Sequence, residues 1–265
     1  MVAPQLRRLR LLSYNIQGGI DSDGYRGYLL HGWKHLVPHQ QRLRNLRRIG
    51  ALLGSYDLVA LQEVDGGSLR TGFVDQTEYL AAQGGFPYWR KQVNRNLGKL
   101  ARHSNGFVSK LPPVAVQSYA LPGLPGRGAM VAEFGGGCER LTVCMLHLAL
   151  SQRARRRQLA FIRERLFGAS RLVVMGDLNC DCEAPELRTL TDGLKLAIPD
   201  CTERTYPSWR PRRRLDHILV SDGLAVEQAA VVDYPLSDHL PVALELLVPA
   251  ALWGHSPKVM SRHLL

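Results

Sequence analysis

The sequence predicts an α/β protein in which two packed β-sheets are covered on their outer faces by helices. Two segments of similar size, 9–64 and 141–179, each run strand, helix, strand. Such a unit places its two strands in parallel in one sheet and packs the helix against that sheet. In both segments polar residues stand where an apolar strand ends, and α/β proteins gather their chemistry at such strand ends.

The first segment opens with an apolar strand, 9–16, and closes with a second one, 57–64. Between them, apolar residues recur at the three- and four-residue spacing of a helix face, which predicts a helix over 38–54. Pro38 suits the first turn of this helix and Gly54 suits its end.

The second segment begins with the strand 141–150, continues into a helix over 151–167 with Ser151 as its N-cap, and ends with the strand 171–179. Shorter strands are predicted between turn-rich stretches at 87–93, 105–111, 129–134, 215–220, 225–232 and 241–248. Because the strands end near Val248, we expect a single domain over 1–248 and a C-terminal tail over 249–265.

Composition is that of a soluble globular protein. Of 265 residues, 45% are hydrophobic and 22% are charged, so a core without disulfides or structural metals is expected. The five cysteines are odd in number and show no zinc-type pairing, which favours reduced thiols. The chain has neither a run of roughly 20 apolar residues nor a signal-peptide pattern, so we expect a cytoplasmic protein without a transmembrane segment.

The charge balance favours an anionic partner. The formal net charge is +11 and the isoelectric point is near 9.8. Nucleic acid fits this balance, and so do anionic phospholipid headgroups. Charge alone does not separate the two.

Three groups of residues carry candidate chemistry. Glu63 follows an apolar run, where a carboxylate is costly unless it is solvated, paired or bound to a metal. Asp177 and Asn179 are two residues apart on an extended chain, so their side chains share a face and could hold a phosphate–metal complex, orient a water or cap a turn. Two Asp-His dipeptides, Asp216-His217 and Asp238-His239, form the third group. A carboxylate beside a histidine is typical of a general base, although such pairs also cap strands.

The order of six blocks identifies a family resemblance. SYNIQGG, LQEVD, LHLALS, MGDLNCD, RLDHILVS and SDHLPV together resemble the endonuclease/exonuclease/phosphatase superfamily over about residues 9–247. That superfamily includes deoxyribonuclease I-type nucleases, apurinic-site endonucleases, sphingomyelinases and inositol-polyphosphate phosphatases. The resemblance implies one catalytic domain, a four-layered α/β sandwich of two mostly mixed β-sheets flanked by helices, with the site at one edge of the paired sheets.

The resemblance also implies a metal site. Glu63 is similar to the principal metal ligand of the family, with Asn15 beside it and Asp238 as a further carboxylate. Carboxylate and amide oxygens without a thiolate suit a hard cation, so Mg²⁺ or Mn²⁺ is the expected cofactor.

The same resemblance assigns catalytic roles. His239 resembles the histidine that accepts a proton from water, and Asp216 resembles its orienting partner. Asp177 resembles the residue that orients or activates the attacking water, and Asn179 the one that holds the phosphate. His147 resembles the phosphate-contacting histidine, or proton donor, of the deoxyribonuclease and sphingomyelinase branches.

Two departures narrow the branch. Apurinic-site endonucleases usually carry a YVPNG-like stretch where this chain has LHLALS, so that branch is disfavoured. The stretch HSNGFVSKLPP resembles the GNAILSR block of sphingomyelinase-like and uncharacterised bacterial members. It makes Asn105 a candidate substrate contact, with a turn-forming Asn-Gly as the alternative.

An arginine-rich loop runs directly into Asp216. Its prolines exclude a helix, so we expect a loop at the mouth of the site. Arg212, Arg213 and Arg214 could grip phosphates, and Trp209 could stack on a base or sugar; a flexible charged loop is the alternative. A second arginine cluster, on the helix over 151–167, is interpreted as a solvated outer face.

These observations favour a divalent-metal-dependent phosphodiester hydrolase, with a nuclease that cleaves DNA or RNA by in-line attack of water as the leading interpretation. The alternative is a phospholipid, sphingomyelin-like or phosphoinositide phosphodiesterase or phosphatase, which the block around His147 supports. A catalytically inactive protein that only binds nucleic acid or a protein partner is disfavoured, because the set of candidate ligands is intact.

Overall fold

The computed structural model describes residues 5–19, 40–136, 139–199 and 202–253. Within them, two six-stranded sheets pack face to face and helices cover their outer faces. This is the four-layered α/β sandwich that the sequence predicts.

The first sheet is mixed. In spatial order its strands are β11 (Ala225–Val231), β12 (Val242–Pro249), β1 (Leu6–Asn15), β2 (Leu58–Asp65), β4 (Arg102–Ser109) and β3 (Tyr88–Asn96). Only β1 and β2 pair in parallel, as the first strand–helix–strand segment requires.

The second sheet is also mixed, with a single parallel pair among its named strands. In spatial order its strands are β5 (Ala115–Ala120), β6 (Gly128–Phe134), β7 (Leu141–His147), β8 (Leu172–Asp177), β10 (Asp216–Ser221) and β9 (Leu196–Ala197). Here β7 and β8 are the parallel pair.

Helices α1 (Gln40–Leu53) and α3 (Gln152–Leu166) are the two crossover helices, and both lie within two residues of their predicted bounds. The sequence interpretation missed α2 (Gln76–Gly84) and the four-residue α4 (Arg188–Thr191). The sequence does indicate where α2 starts, because Asp75 is a residue type that favours the N-cap position. In the structure its side chain accepts hydrogen bonds from the first-turn backbone N–H groups of Thr77 and Glu78.

Strand alternation divides the apolar residues among three clusters. On β1, Leu9 and Leu11 face the core between the sheets, whereas Leu12 and Tyr14 face the cluster under α1 and α2. A third cluster lies under α3. One core between the sheets and one under each helical layer hold the strand ends in fixed positions.

The prediction of reduced thiols is wrong for Cys182. Cys182 is disulfide-bonded, while Cys144 and Cys180 are buried free thiols. Disulfides persist mainly in oxidising compartments, so this bond does not support the cytoplasmic expectation. Cys138 and Cys201 lie outside the described residues.

The chain termini of the described part are packed together. Trp253 lies against the core between the sheets, and the guanidinium of Arg7 stacks 4.5 Å from its ring centroid. The rest of the predicted tail, 254–265, and the first loop, 20–39, lie outside the described residues. Among the helices described here, none has the length and apolar character needed to cross a bilayer.

Candidate active site

Four buried polar residues meet at one edge of the paired sheets because the strands that carry them are neighbours. In the second sheet, His147 at the end of β7 is in register with Asp177 at the end of β8, which is in register with Asp216 at the start of β10. From the facing sheet, Asn15 at the end of β1 donates a hydrogen bond from Nδ2 to Asp177 Oδ2 over 3.0 Å. Residues far apart in the chain thus share one site.

The approach of β7 to β8 at this edge requires glycine just before Asp177. Gly176 has φ of 152°, and a Cβ placed on it would lie 1.9 Å from the carbonyl oxygen of Leu146. That oxygen belongs to the backbone and cannot move away like a flexible side chain. Gly176 therefore allows Asp177 to stand beside His147.

We expect Gly176→Ala to lower the free energy of unfolding by about 3 kcal/mol or more, since backbone must shift to relieve the clash. Gly72→Ala is the matched control, because Gly72 has a positive φ of 62° but open space around it. It should cost about 1 kcal/mol, the penalty of a left-handed conformation alone. Urea denaturation measures both; equal costs would show that the close approach is not a constraint.

Asp177 is the hub of the site. Its Oδ2 lies 3.3 Å from His147 Nε2 and 4.0 Å from His239 Nε2, and its Oδ1 accepts a hydrogen bond from the backbone N–H of Asn179. Burial by itself raises the pKa of Asp177. The hydrogen bond and charge of His147, the charge of His239 and the Asn15 amide outweigh burial and hold this pKa below its ordinary value.

His239 and Asp216 form a buried hydrogen-bonded pair. His239 Nδ1 lies 2.7 Å from Asp216 Oδ2, so Nδ1 carries the proton and Nε2 faces Asp177. Burial lowers the pKa of His239, but the negative charges of Asp216 and Asp177 raise it by more, so that the pKa is raised to about 10. The ring of Tyr206 packs against the imidazole with centroids 4.9 Å apart. The imidazolium is thus strongly stabilised.

The raised pKa of His239 predicts how stability depends on pH in the metal-free protein. A group whose folded pKa lies above its unfolded value adds stability below the unfolded value, here 6.5, and loses it as pH rises through the folded value of about 10. In EDTA, we expect the free energy of unfolding to fall over this window, and to fall less in His239→Asn. Parallel pH curves for the two proteins would contradict the assignment.

Arg127 determines which nitrogen of His147 carries a proton. Arg127 Nη1 lies 3.3 Å from His147 Nδ1, and because a guanidinium has only donors, Nδ1 accepts. The Nε2 atom, beside Asp177, then carries a proton. His147 therefore presents an N–H donor to the site.

A β-bulge directs Glu63 towards the same edge. The pairing of β2 with β4 shifts register between Leu61 and Val64, and Glu63 within the bulge has a positive φ of 56°. Its side chain is 39% exposed, and its Oε1 lies 4.0 Å from His147 Nε2. Among the predicted site carboxylates Glu63 therefore has an accessible oxygen close to the buried cluster.

Asp238 adds a second carboxylate in the neighbourhood of Glu63. Burial raises the pKa of Asp238 to about 6, and the negative charges of Glu63 and Asp177 raise it too, against the lowering effect of His239. Its backbone carbonyl accepts a hydrogen bond of 2.8 Å from the N–H of Ser208 in the arginine-rich loop. Negative charge is thus concentrated at this edge beyond what the histidines balance.

Sequence comparison decides the family. A family model described as Endonuclease/Exonuclease/phosphatase family matches residues 12–239. The chain belongs to the endonuclease/exonuclease/phosphatase family. It is therefore a phosphoesterase, and the resemblance noted from its six blocks is confirmed. No curated protein sequence matches the chain.

Solved structures show the same fold. An endonuclease/exonuclease/phosphatase from Beutenbergia cavernae has a TM-score of 0.68 at 21% identity, with 92% of this chain and 72% of that chain covered. A mannosyl-6-phosphatase from Bacteroides thetaiotaomicron has a TM-score of 0.67 at 17% identity, with 90% and 99% covered. The human Nocturnin catalytic domain with bound sulfate has a TM-score of 0.66 at 17% identity, with 92% and 96% covered.

The endonuclease/exonuclease/phosphatase family is generally divalent-metal dependent, and the residues at this edge fit a cation. Ligand atoms of Asp177, Asp216 and His239 lie within 4.8 Å of one another. Asp216 Oδ1 is buried and accepts no hydrogen bond from the described residues. Since His239 Nδ1 is already bonded to Asp216, that pair suits proton transfer, and Glu63 and Asp238 are further carboxylates at this edge that a cation could use.

Asn179, which is predicted to hold phosphate, and Asn105, which is predicted to contact substrate, lie near the same edge. Asn179 has a positive φ of 53° and donates from Nδ2 to the carbonyl of Leu148 over 3.0 Å. Asn105, on β4, is buried and donates to the carbonyl of Gly128 over 3.0 Å, which leaves its Oδ1 without a partner among the described residues. Asn105 is thus part of the sheet and not of the turn considered as its alternative.

The arginine-rich loop packs beside the site, but one of its arginines points inward. Arg212 and Arg213 are exposed and Trp209 is half-buried. Arg214 is only 2% exposed and donates from Nη1 to the carbonyl of Glu203 over 3.1 Å. The prediction that Arg214 contacts substrate is therefore wrong, because its guanidinium is used inside the protein.

The interpretation of the helix arginines as a solvated face is wrong for Arg155. This residue is buried on α3 and its guanidinium donates twice to Glu186 Oε1, over 2.8 and 2.6 Å. Arg155, Gln158 and Ile162 recur at helical spacing on the buried face, a pattern that the sequence could have revealed. Arg127 was also missed, and nothing in the local sequence marks it as a site residue.

Proposed function

We propose that this chain is a divalent-metal-dependent phosphodiester hydrolase that acts on nucleic acid. The observation that carries the proposal is the buried pair of His239 and Asp216, whose free Nε2 faces Asp177 at the edge where Glu63 is accessible. A base, an orienting carboxylate and a metal carboxylate are the parts that water-mediated phosphoester cleavage needs.

Each residue has a distinct task in this proposal. The positive charge of a cation held at this edge would lower the pKa of His239 from its metal-free value of about 10, so that Nε2 can accept the proton of the attacking water while Asp216 holds the ring and stabilises the imidazolium. Asp177 orients the water, and His147 donates its Nε2 hydrogen to a phosphoryl or leaving oxygen. Asn179 holds the phosphate. Glu63, with Asp238 and Asn15, would hold Mg²⁺ or Mn²⁺, which neutralises charge that builds on the phosphoryl oxygens.

Nucleic acid is favoured because cationic side chains lie on both sides of this site. Arg127 stands beside His147, and the exposed Arg212 and Arg213 belong to the loop that packs on His239 and Asp238. A polynucleotide carries a phosphate on each side of the bond that is cut, whereas a phosphomonoester does not. The net charge of +11 supports the same partner.

The test compares substrates in Mg²⁺, Mn²⁺ and EDTA. We expect metal-dependent cleavage of bis-p-nitrophenyl phosphate and of DNA or RNA oligonucleotides. The double variant Arg212→Gln/Arg213→Gln should lower activity on oligonucleotides far more than on bis-p-nitrophenyl phosphate, and Arg163→Gln, an exposed arginine on the last turns of α3, is the control. Failure to cleave any phosphodiester with either metal would overturn the proposal.

A phospholipid phosphodiester is the second candidate, and two exposed leucines favour it. Leu124 and Leu150 are 86% and 74% exposed and both line the cleft beside His147. Apolar side chains next to arginines suit the surface of an anionic membrane. Cleavage of phospholipid vesicles but not of oligonucleotides, with loss of that activity in Leu124→Ser/Leu150→Ser, would select this candidate.

A further inference from the structure

A cavity of about 660 Å³ opens beside Glu63 and His147. Its walls are the ends of β3 and β4, the loop 123–127 and the turn that leads from β7 into α3. Of the residues with a proposed role at the scissile phosphate, Glu63 and His147 line this cavity. The rest of the cavity is large enough for a further part of the substrate.

The walls of the cavity are cationic. Arg95, Arg127 and Arg157 line it, against the single carboxylate of Glu63. In the part of the chain that the structure describes, none of these arginines forms an ion pair with a carboxylate. Guanidinium groups that no acidic side chain neutralises favour an anionic ligand, and they suit phosphate in particular.

Neutral polar groups complete the lining. Burial lowers the pKa of His103, as do the charges of Arg70 and Arg95, so this imidazole is neutral at pH 7. Asn105 is 3% exposed and its Oδ1 has no donor among the described residues. A buried acceptor on the wall of a cavity suits a ligand hydroxyl, such as that of a sugar or a glycerol.

Two buried side chains of α3 hold the cavity in shape. Gln158 accepts from the N–H of Ala149 over 2.9 Å and donates to the carbonyl of Pro122 over 3.2 Å, so it ties together the two loops that form the rim. Arg155, fixed by Glu186, donates to the carbonyl of Leu150. The rim loops are thus held by buried hydrogen bonds, and the arginines project from a built framework.

We infer that this cavity binds a second phosphate of the substrate, next to the one that is cleaved, with Arg95 and Arg157 as its contacts. The inference rests on the proposed function, because it assumes that a phosphodiester occupies the catalytic edge. It adds that the enzyme prefers substrates in which another phosphate lies next to the scissile one, on either its 5′ or its 3′ side. Such a phosphate occurs in an oligonucleotide and in a diphosphatidyl lipid, and the chemistry that recognises it is the same.

Three dinucleotides isolate the effect of the second phosphate: d(TpT), d(pTpT) and d(TpTp) share one scissile bond and differ only in a terminal phosphate. With wild-type protein and Mg²⁺, we expect kcat/KM for one of the phosphorylated dinucleotides to exceed that for d(TpT) by about tenfold, the effect of a charge-assisted contact. Arg95→Gln/Arg157→Gln should bring this ratio close to one. Arg156→Gln, a neighbouring exposed arginine outside the cavity, should keep it.

A lipid arm distinguishes the two sources. If the dinucleotides show no preference but cardiolipin is favoured over phosphatidylglycerol in mixed micelles, and Arg95→Gln/Arg157→Gln removes that preference, the second phosphate belongs to a lipid and the subsite stands. If wild type cleaves diesters but prefers neither a phosphorylated dinucleotide nor cardiolipin, the second-phosphate site is overturned and the proposed function stands. The same holds if the double variant keeps the preference of wild type. If no diester is cleaved, the proposed function fails.

Discussion

Replacing His239 with alanine is expected to lower kcat on bis-p-nitrophenyl phosphate by about 10²–10⁴-fold, which is the usual contribution of a positioned general base. The reason is geometric. His239 is held at Nδ1 by Asp216, so only Nε2 is available to a water, and Nε2 faces Asp177 at the edge of the sheets. Steady-state kinetics at saturating Mg²⁺ measure the loss.

Chemical rescue separates a lost base from a damaged fold. Added imidazole should restore part of the activity of His239→Ala, because it can enter the space left by the side chain and accept a proton. Asp216→Asn should also lower kcat, since it removes the charge that stabilises the imidazolium. If His239→Ala retains activity within about threefold of wild type, the residue is not the general base.

Glu63→Gln is expected to lower kcat/KM by about 10²-fold or more, because it removes the charge of an accessible carboxylate near the buried cluster and keeps its shape. The same change should weaken binding of Mn²⁺, which electron paramagnetic resonance measures without any substrate. Loss of both activity and affinity would identify Glu63 as a metal ligand.

Glu245→Gln is the matched control for this experiment. Glu245 is a half-buried strand carboxylate, 27% exposed, and its partner is Arg8. We expect its variant to bind Mn²⁺ and cleave substrate as wild type does. If Glu63→Gln also binds Mn²⁺ with unchanged affinity, the metal lies elsewhere in the cluster of Asp177 and Asp216.

The sequence predicts the fold well because the signals that define it are local. Each crossover helix has a clear apolar period, and each parallel strand contains an apolar stretch and ends on a polar residue. The polar strand ends of one sheet could be expected to lie together for this reason. The contact between Asn15 and Asp177 could not, because it joins residues 162 positions apart across two sheets whose packing is tertiary.

The predictions for individual residues fail where a side chain is buried although its neighbours in the sequence face solvent. Arg214 and Arg155 stand in arginine-rich runs, which favour a phosphate contact or a flexible loop for Arg214 and a solvated face for Arg155. Each is instead buried and hydrogen-bonded to a distant carbonyl or carboxylate. Cys182 forms a disulfide that cysteine counting did not indicate. The contact of Arg127 with His147 depends on the pairing of β6 with β7, which no short motif encodes.

The most direct test of the account is a crystal structure with Mn²⁺ and a slowly hydrolysed phosphorothioate diester. We expect an anomalous manganese peak at the carboxylate of Glu63, with the phosphorus atom beside it and His239 Nε2 facing the phosphorus on the side opposite the leaving oxygen. A manganese peak bonded to His239 in place of Glu63, or a diester bound away from this edge of the sheets, would contradict it.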